Sequence, residues 1–142
     1  MSFFTILKEF YYLVLIDKGK RILFSAALKS PSWAWKNRIL IFDMVFWNFG
    51  DGYNSSTGVF CVPSDGMYFI GVFTNQNLGL DIVLNDVTKV QLHAHSTEVP
   101  QFGMNVGSLI LQKGDHVWVK PSQDKSYWTY KDSITLFFGF LI

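Results

Sequence analysis

Residues 66–74 read Gly66-Met67-Tyr68-Phe69-Ile70-Gly71-Val72-Phe73-Thr74, and residues 134–142 read Ile134-Thr135-Leu136-Phe137-Phe138-Gly139-Phe140-Leu141-Ile142. Side chains along a strand alternate between two faces. In the first stretch Met67, Phe69 and Phe73 fall opposite Tyr68, Ile70 and Val72. In the second, Ile134, Leu136, Phe138, Phe140 and Ile142 share a face, and Phe137 and Leu141 share the other with Thr135 and Gly139. Both strands are therefore apolar on both sides. In a sandwich one side meets the opposing sheet, and the second side needs another cover. No stretch carries a convincing helical apolar stripe of ten or more residues. A neighbouring protomer is the expected cover.

Working outward, short apolar runs recur between turn residues. Strands are predicted near 21–28, 39–46, 58–62, 66–74, 80–85, 87–95, 104–112, 115–120 and 134–142. Asn85-Asp86, between Ile82-Val83-Leu84 and Val87 to Leu92, is a two-residue hairpin signal, because both residues tolerate positive φ. In 87–95, Val90, Leu92 and Ala94 share one face and Lys89, Gln91, His93 and His95 the other, which marks a strand with one wet side. Many short strands at this spacing predict an all-β sandwich or jelly roll.

Composition narrows the function classes. The 142 residues are 49% hydrophobic, 18% aromatic and 16% charged, with net charge +1. That excludes a disordered tail and a nucleic-acid partner held by bulk charge. No run approaches ~18 uncharged apolar residues, so no spanning helix is expected. Cys61 is the single cysteine, which excludes an intrachain disulfide. Residues 1–20 form an N-terminal extension: Lys8 and Glu9 precede the apolar run Phe10–Ile16, and Asp17-Lys18-Gly19-Lys20 follows where a small-residue cleavage site would stand. This is a poor signal peptide, and the extension is expected to be a degraded signal or an extra strand.

Phe42, Asn48, Tyr53, Phe60, Gly66 and Tyr68 stand at the spacing of the complement 1q globular-domain signature. Phe24-Ser25-Ala26 resembles that family's opening strand, Gly114-Asp115 with Val117-Trp118-Val119 its penultimate one, and Phe138-Gly139-Phe140-Leu141 its closing one. Ile70 and Val72 depart from the signature, which expects aromatics there. The resemblance covers about 21–142. It implies a ten-stranded jelly roll of the tumour necrosis factor-like type, a homotrimer, and a secreted, extracellular recognition module of innate immunity with a glycan, microbial or protein ligand. Structural trimerisation without a ligand, or a cytokine-like receptor ligand, are the alternatives. Strands meeting neighbouring protomers would carry Tyr68, Ile70, Phe138 and Phe140.

Candidate chemistry is sparse. His93 and His95 could share a metal only with a third ligand such as His116, and are read as a solvated face. Some members of the resembled family bind calcium in the loop matching 95–103, which here holds one acidic residue, Glu98. Calcium wants several hard oxygens, so no cofactor is expected. Cys61 lies between Phe60 and Val62 and is read as a small buried hydrophobe. No Gly-x-Ser-x-Gly or paired carboxylates point to an enzyme. Trp33 and Trp35 in one loop, and Lys125, Trp128 and Lys131 in another, are the candidate ligand contacts, because rings stack on sugars while cations hold acidic groups. Asn54-Ser55-Ser56 is a glycosylation sequon.

Overall fold

The Asn85-Asp86 turn forms as its residue types require, with φ of 46° and 69°. The computed structural model describes residues 2–16, 21–28, 39–75, 78–94, 103–122 and 134–142, with backbone alone for 12–16, 78 and 94. Among them are ten strands: β1 Leu23–Ala27, β2 Met44–Phe49, β3 Tyr53–Asn54, β4 Val59–Cys61, β5 Gly66–Thr74, β6 Leu78–Leu84, β7 Val87–Ala94, β8 Gly103–Leu111, β9 His116–Pro121 and β10 Thr135–Leu141. They pair antiparallel in two five-stranded sheets, ordered β2-β1-β10-β5-β8 and β3-β4-β9-β6-β7. The expected strand at 39–46 moves to Met44–Phe49, and the short β3 lies between the expected strands 39–46 and 58–62. Gly58, at φ 78°, closes the β3–β4 turn by donating to the Asn54 carbonyl at 2.8 Å. A Cβ there would stand 2.3 Å from the Leu40 carbonyl oxygen, so only glycine fits.

The signature residues converge on one aromatic knot between the sheets. Phe24 of β1 stacks on Phe60 at 4.3 Å and on Tyr53 at 5.4 Å, and meets Phe137 edge-on at 4.8 Å. The Tyr53 hydroxyl donates to the Phe42 carbonyl at 2.9 Å and accepts from the Phe42 amide at 3.0 Å. The Asn48 side chain imitates a strand neighbour: its Nδ2 donates to the Tyr53 carbonyl and its Oδ1 accepts from the Tyr53 amide. Phe60 meets Tyr68 edge-on at 5.9 Å, and the Tyr68 hydroxyl donates to the Ser64 carbonyl. Burial pushes the Tyr53 phenol up to about 12, against the lowering effect of its bond to Phe42. The spaced motif is thus a core device that ties β1 to β3, β4 and β10.

The N-terminal extension corrects an expectation. Phe3–Ile16 is a helix, α1, and not an extra strand. Its first turn is capped by Ser2, whose Oγ accepts from the Thr5 amide at 3.1 Å. The helical periodicity is masked because apolar residues occur all round the helix, broken chiefly by Thr5, Lys8 and Glu9. A helix of this kind is defined by what it lies against more than by a stripe.

Candidate functional site

The outer face of the β2-β1-β10-β5-β8 sheet is built by the register of its strands. One row runs Phe49, Leu23, Phe140, Phe69, Ser108. The next runs Trp47, Ser25, Phe138, Gly71, Val106. A third carries Ala27, Leu136, Phe73 and Met104. Gly71 has a spatial reason: a Cβ there would stand 2.5 Å from the Phe138 ring, which lies across β5. Helix α1 crosses these rows. Phe3 stacks on Phe73 at 5.9 Å and meets Phe138 edge-on at 6.4 Å; Phe10 lies 4.6 Å from Phe140; Tyr11 lies 6.4 Å from Phe49. The cover is incomplete. Met67, Phe69, Met104, Val106 and Ile110 remain exposed, Ile110 at 79%.

This face revises the expected seam between protomers. Phe138 and Phe140 do point outward. Tyr68 and Ile70 are fully buried between the sheets, so they cannot meet a neighbouring protomer. Both faces of β5 are apolar, and the sandwich takes the Tyr68, Ile70, Val72 side because those side chains meet Phe60 and the opposing sheet. Met67 and Phe69 hold the outward positions instead. Sequence reasoning missed α1 and the β8 row. Alternation of Met104, Val106 and Ile110 with Leu109 and Leu111 was the available signal for the row.

The outer face of the other sheet is mostly polar, with Val83 and Trp118 also on it. Lys89, Gln91 and His93 are exposed along β7, as their alternation predicts, while Val90 and Leu92 are buried beneath. The Gln91 carbonyl accepts from Asn105 Nδ2 at 2.7 Å, which joins the two sheets at their edge. Among the described residues no group of three ligating side chains could hold a metal ion. His93 and His116 sit on β7 and β9, which β6 separates. Cys61 is exposed, contrary to expectation, because Phe60 and Val62 take the core positions on either side. It lies directly opposite His116. The Cys61 amide donates to Gly52, and both the amide and carbonyl of His116 bond Asn85, so the two form a non-hydrogen-bonded pair, the closer kind.

At one end of the sandwich, Asp115 accepts from the Gln112 amide at 2.8 Å and from Asn85 Nδ2 at 3.0 Å. The Gln112 bond first, then Asn85, holds its carboxyl below the usual carboxylate range. An open cleft of about 600 Å³ nearby is lined by Arg21, Ile22, Gly50, Pro63, Ser64, Asp65 and Lys113. Asn54 is exposed, and its Oδ1 accepts from the Ser56 amide. Trp33, Trp35, Lys125, Trp128, Lys131, His95 and Glu98 lie outside the described residues.

The double five-stranded sandwich with this knot defines a jelly-roll domain. Residues 23–142 match the C1q domain model, and the chain belongs to that family, whose domain is a non-enzymatic recognition and structural unit. It is 32% identical over 144 residues to the heavy metal-binding protein HIP of Mytilus edulis, covering 96% of this chain and 67% of that one. It is 25% identical over 122 residues to a complement C1q subcomponent of Rattus norvegicus, covering 84% of this chain. The chain spans about half the length of that rat protein, 50%. The globular domain of the zebrafish complement 1qA protein superposes with a TM-score of 0.72 at 23% identity, over 85% of this chain and 97% of that one. Among the described residues no helix is long and apolar enough to cross a membrane.

Proposed function

We propose that this chain is a secreted recognition module of innate defence that works as a homotrimer and binds a glycan, a microbial surface or a protein ligand without a resident cofactor. The observation that carries the reading is the pairing of one apolar outer sheet face with one mostly polar outer face in a C1q domain. The apolar face suits contact with copies of the chain. The polar face, with Lys89, Gln91 and His93, stays free for a ligand. The sequence segments 31–37 and 124–131, with Trp33, Trp35, Trp128, Lys125 and Lys131, add rings and cations suited to acidic sugars. Three copies would convert weak single sites into avidity. Light scattering and a glycan and lipopolysaccharide array on the purified protein test this. A trimer with array hits weakened by Trp33→Ala, Trp35→Ala or Trp128→Ala supports it; a trimer that binds nothing favours a purely structural role.

A second reading is capture of soft metal ions. It is favoured by the mussel relative described as heavy metal-binding and by the exposed Cys61–His116 pair. A thiolate and an imidazole at adjacent cross-strand positions suit thiophilic ions of low coordination number. Titration with cadmium, followed by thiolate absorption in native protein and in Cys61→Ser, tests it; equal binding by both removes the pair.

A further inference from the structure

We propose that helix α1 is a displaceable cover on the self-assembly face: it occupies the outer face of the β2-β1-β10-β5-β8 sheet in the single chain and leaves it when a second copy seats there. This rests on the homotrimeric reading above. Dimensions decide the competition. Five strands about 4.8 Å apart and five to nine residues long make a face of roughly 570 Å². That is a large part of the ~800 Å² each partner contributes to a standard interface. A helix of 14 residues is about 21 Å long and about 10 Å wide, and covers only roughly 200 Å². The uncovered remainder is where Met67, Met104 and Ile110 stay exposed.

The seat of the helix is also imperfect. No described α1 side chain is fully buried, and Phe4 is 80% exposed. Ser25 stands beside Phe138 on the covered face, and its hydroxyl is buried with no hydrogen-bond partner among the described residues. A helix of this length is marginal in water by itself, so α1 depends on the face it covers. A copy of the chain, apolar across the same rows and nearly uncharged at +1, can cover what α1 leaves open.

The test uses the full chain. Phe3→Glu/Phe10→Glu loosens α1 without touching the sheet. Phe10→Cys/Phe140→Cys in a Cys61→Ser background, joined by a short reducible bismaleimide, holds α1 down. Sedimentation is followed against concentration. Loosening is expected to lower the concentration of half-assembly by about thirtyfold, the factor expected if α1 is docked some nine-tenths of the time and all three copies must release it, since that concentration scales as the −3/2 power of the undocked fraction. The cross-linked protein should remain a single chain where the same variant, cleaved with reductant, assembles. Equal assembly by wild type, loosened and cross-linked proteins would overturn the cover while leaving the trimer intact. Failure of the loosened variant to assemble at any concentration would overturn the homotrimeric reading and the cover with it.

Discussion

Tyr53→Phe removes one oxygen atom and leaves the ring. The ring stack on Phe24, 5.4 Å apart and within 5° of parallel, is kept. What is lost is the hydroxyl that serves both the amide and the carbonyl of Phe42. Tyr53 and Phe42 are both buried, at 4% and 0% exposure, so neither orphaned backbone group regains water easily. A buried polar group left unpaired costs about 1–3 kcal/mol. With two such groups and some relaxation, the expected loss is about 3 kcal/mol. For a chain of this size that lowers Tm by about 10 °C. Urea unfolding at neutral pH measures it, with unchanged m-value as the control for two-state behaviour. A second arm uses pH. Burial raises the Tyr53 phenol from 10.0 to about 12 in the fold. A group whose folded pKa is raised contributes stability that is fully present below the unfolded pKa and is lost as pH rises through the folded one. The wild type therefore loses up to roughly 2 kcal/mol between those values that the variant, having nothing to ionise there, does not lose. The stability gap between the two proteins should narrow as the solution is made more alkaline. A neutral-pH difference below about 0.5 kcal/mol, or a gap that does not narrow, would refute the bridging role of this hydroxyl.

Asp115 is held below the usual carboxylate range, so its contribution is present above the unfolded pKa and is lost as pH falls through the folded one. Asp115→Asn should flatten that part of the acid limb in urea titrations; an unchanged limb would show that its bonds to Gln112 and Asn85 contribute nothing. Millimolar calcium is expected to leave Tm unchanged, because a ligand bound only by the native state would raise it and the sequence 95–103 offers one carboxylate, Glu98. A chelator-reversible rise would sink that expectation. Cys61 should react with a thiol reagent in native buffer at a rate close to that in urea, since it points outward from β4; protection until unfolding would place it inside.

The residues alone determined most of the sandwich. Period-two alternation marked Lys89, Gln91 and His93 as a wet face, and Asn85-Asp86 suited a turn of positive φ. Each of these is a local preference or a polarity contrast, which adjacent side chains carry by themselves. The spacing from Phe42 to Tyr68 resembled a family signature, and only the fold shows that these residues gather in one aromatic knot. Where contrast is missing, local reading has nothing to choose with. On β5, Tyr68-Ile70-Val72 and Met67-Phe69-Phe73 are equally apolar, and only the ring of Phe60 from the opposing sheet on one side and α1 on the other decide which row is core. Cys61 turned outward for the same reason, since Phe60 and Val62 claim the interior. Helix α1 was illegible because its apolar residues form no stripe; its ring partners Phe73 and Phe140 lie on strands far along the chain, and that contact exists only once the sheet has closed.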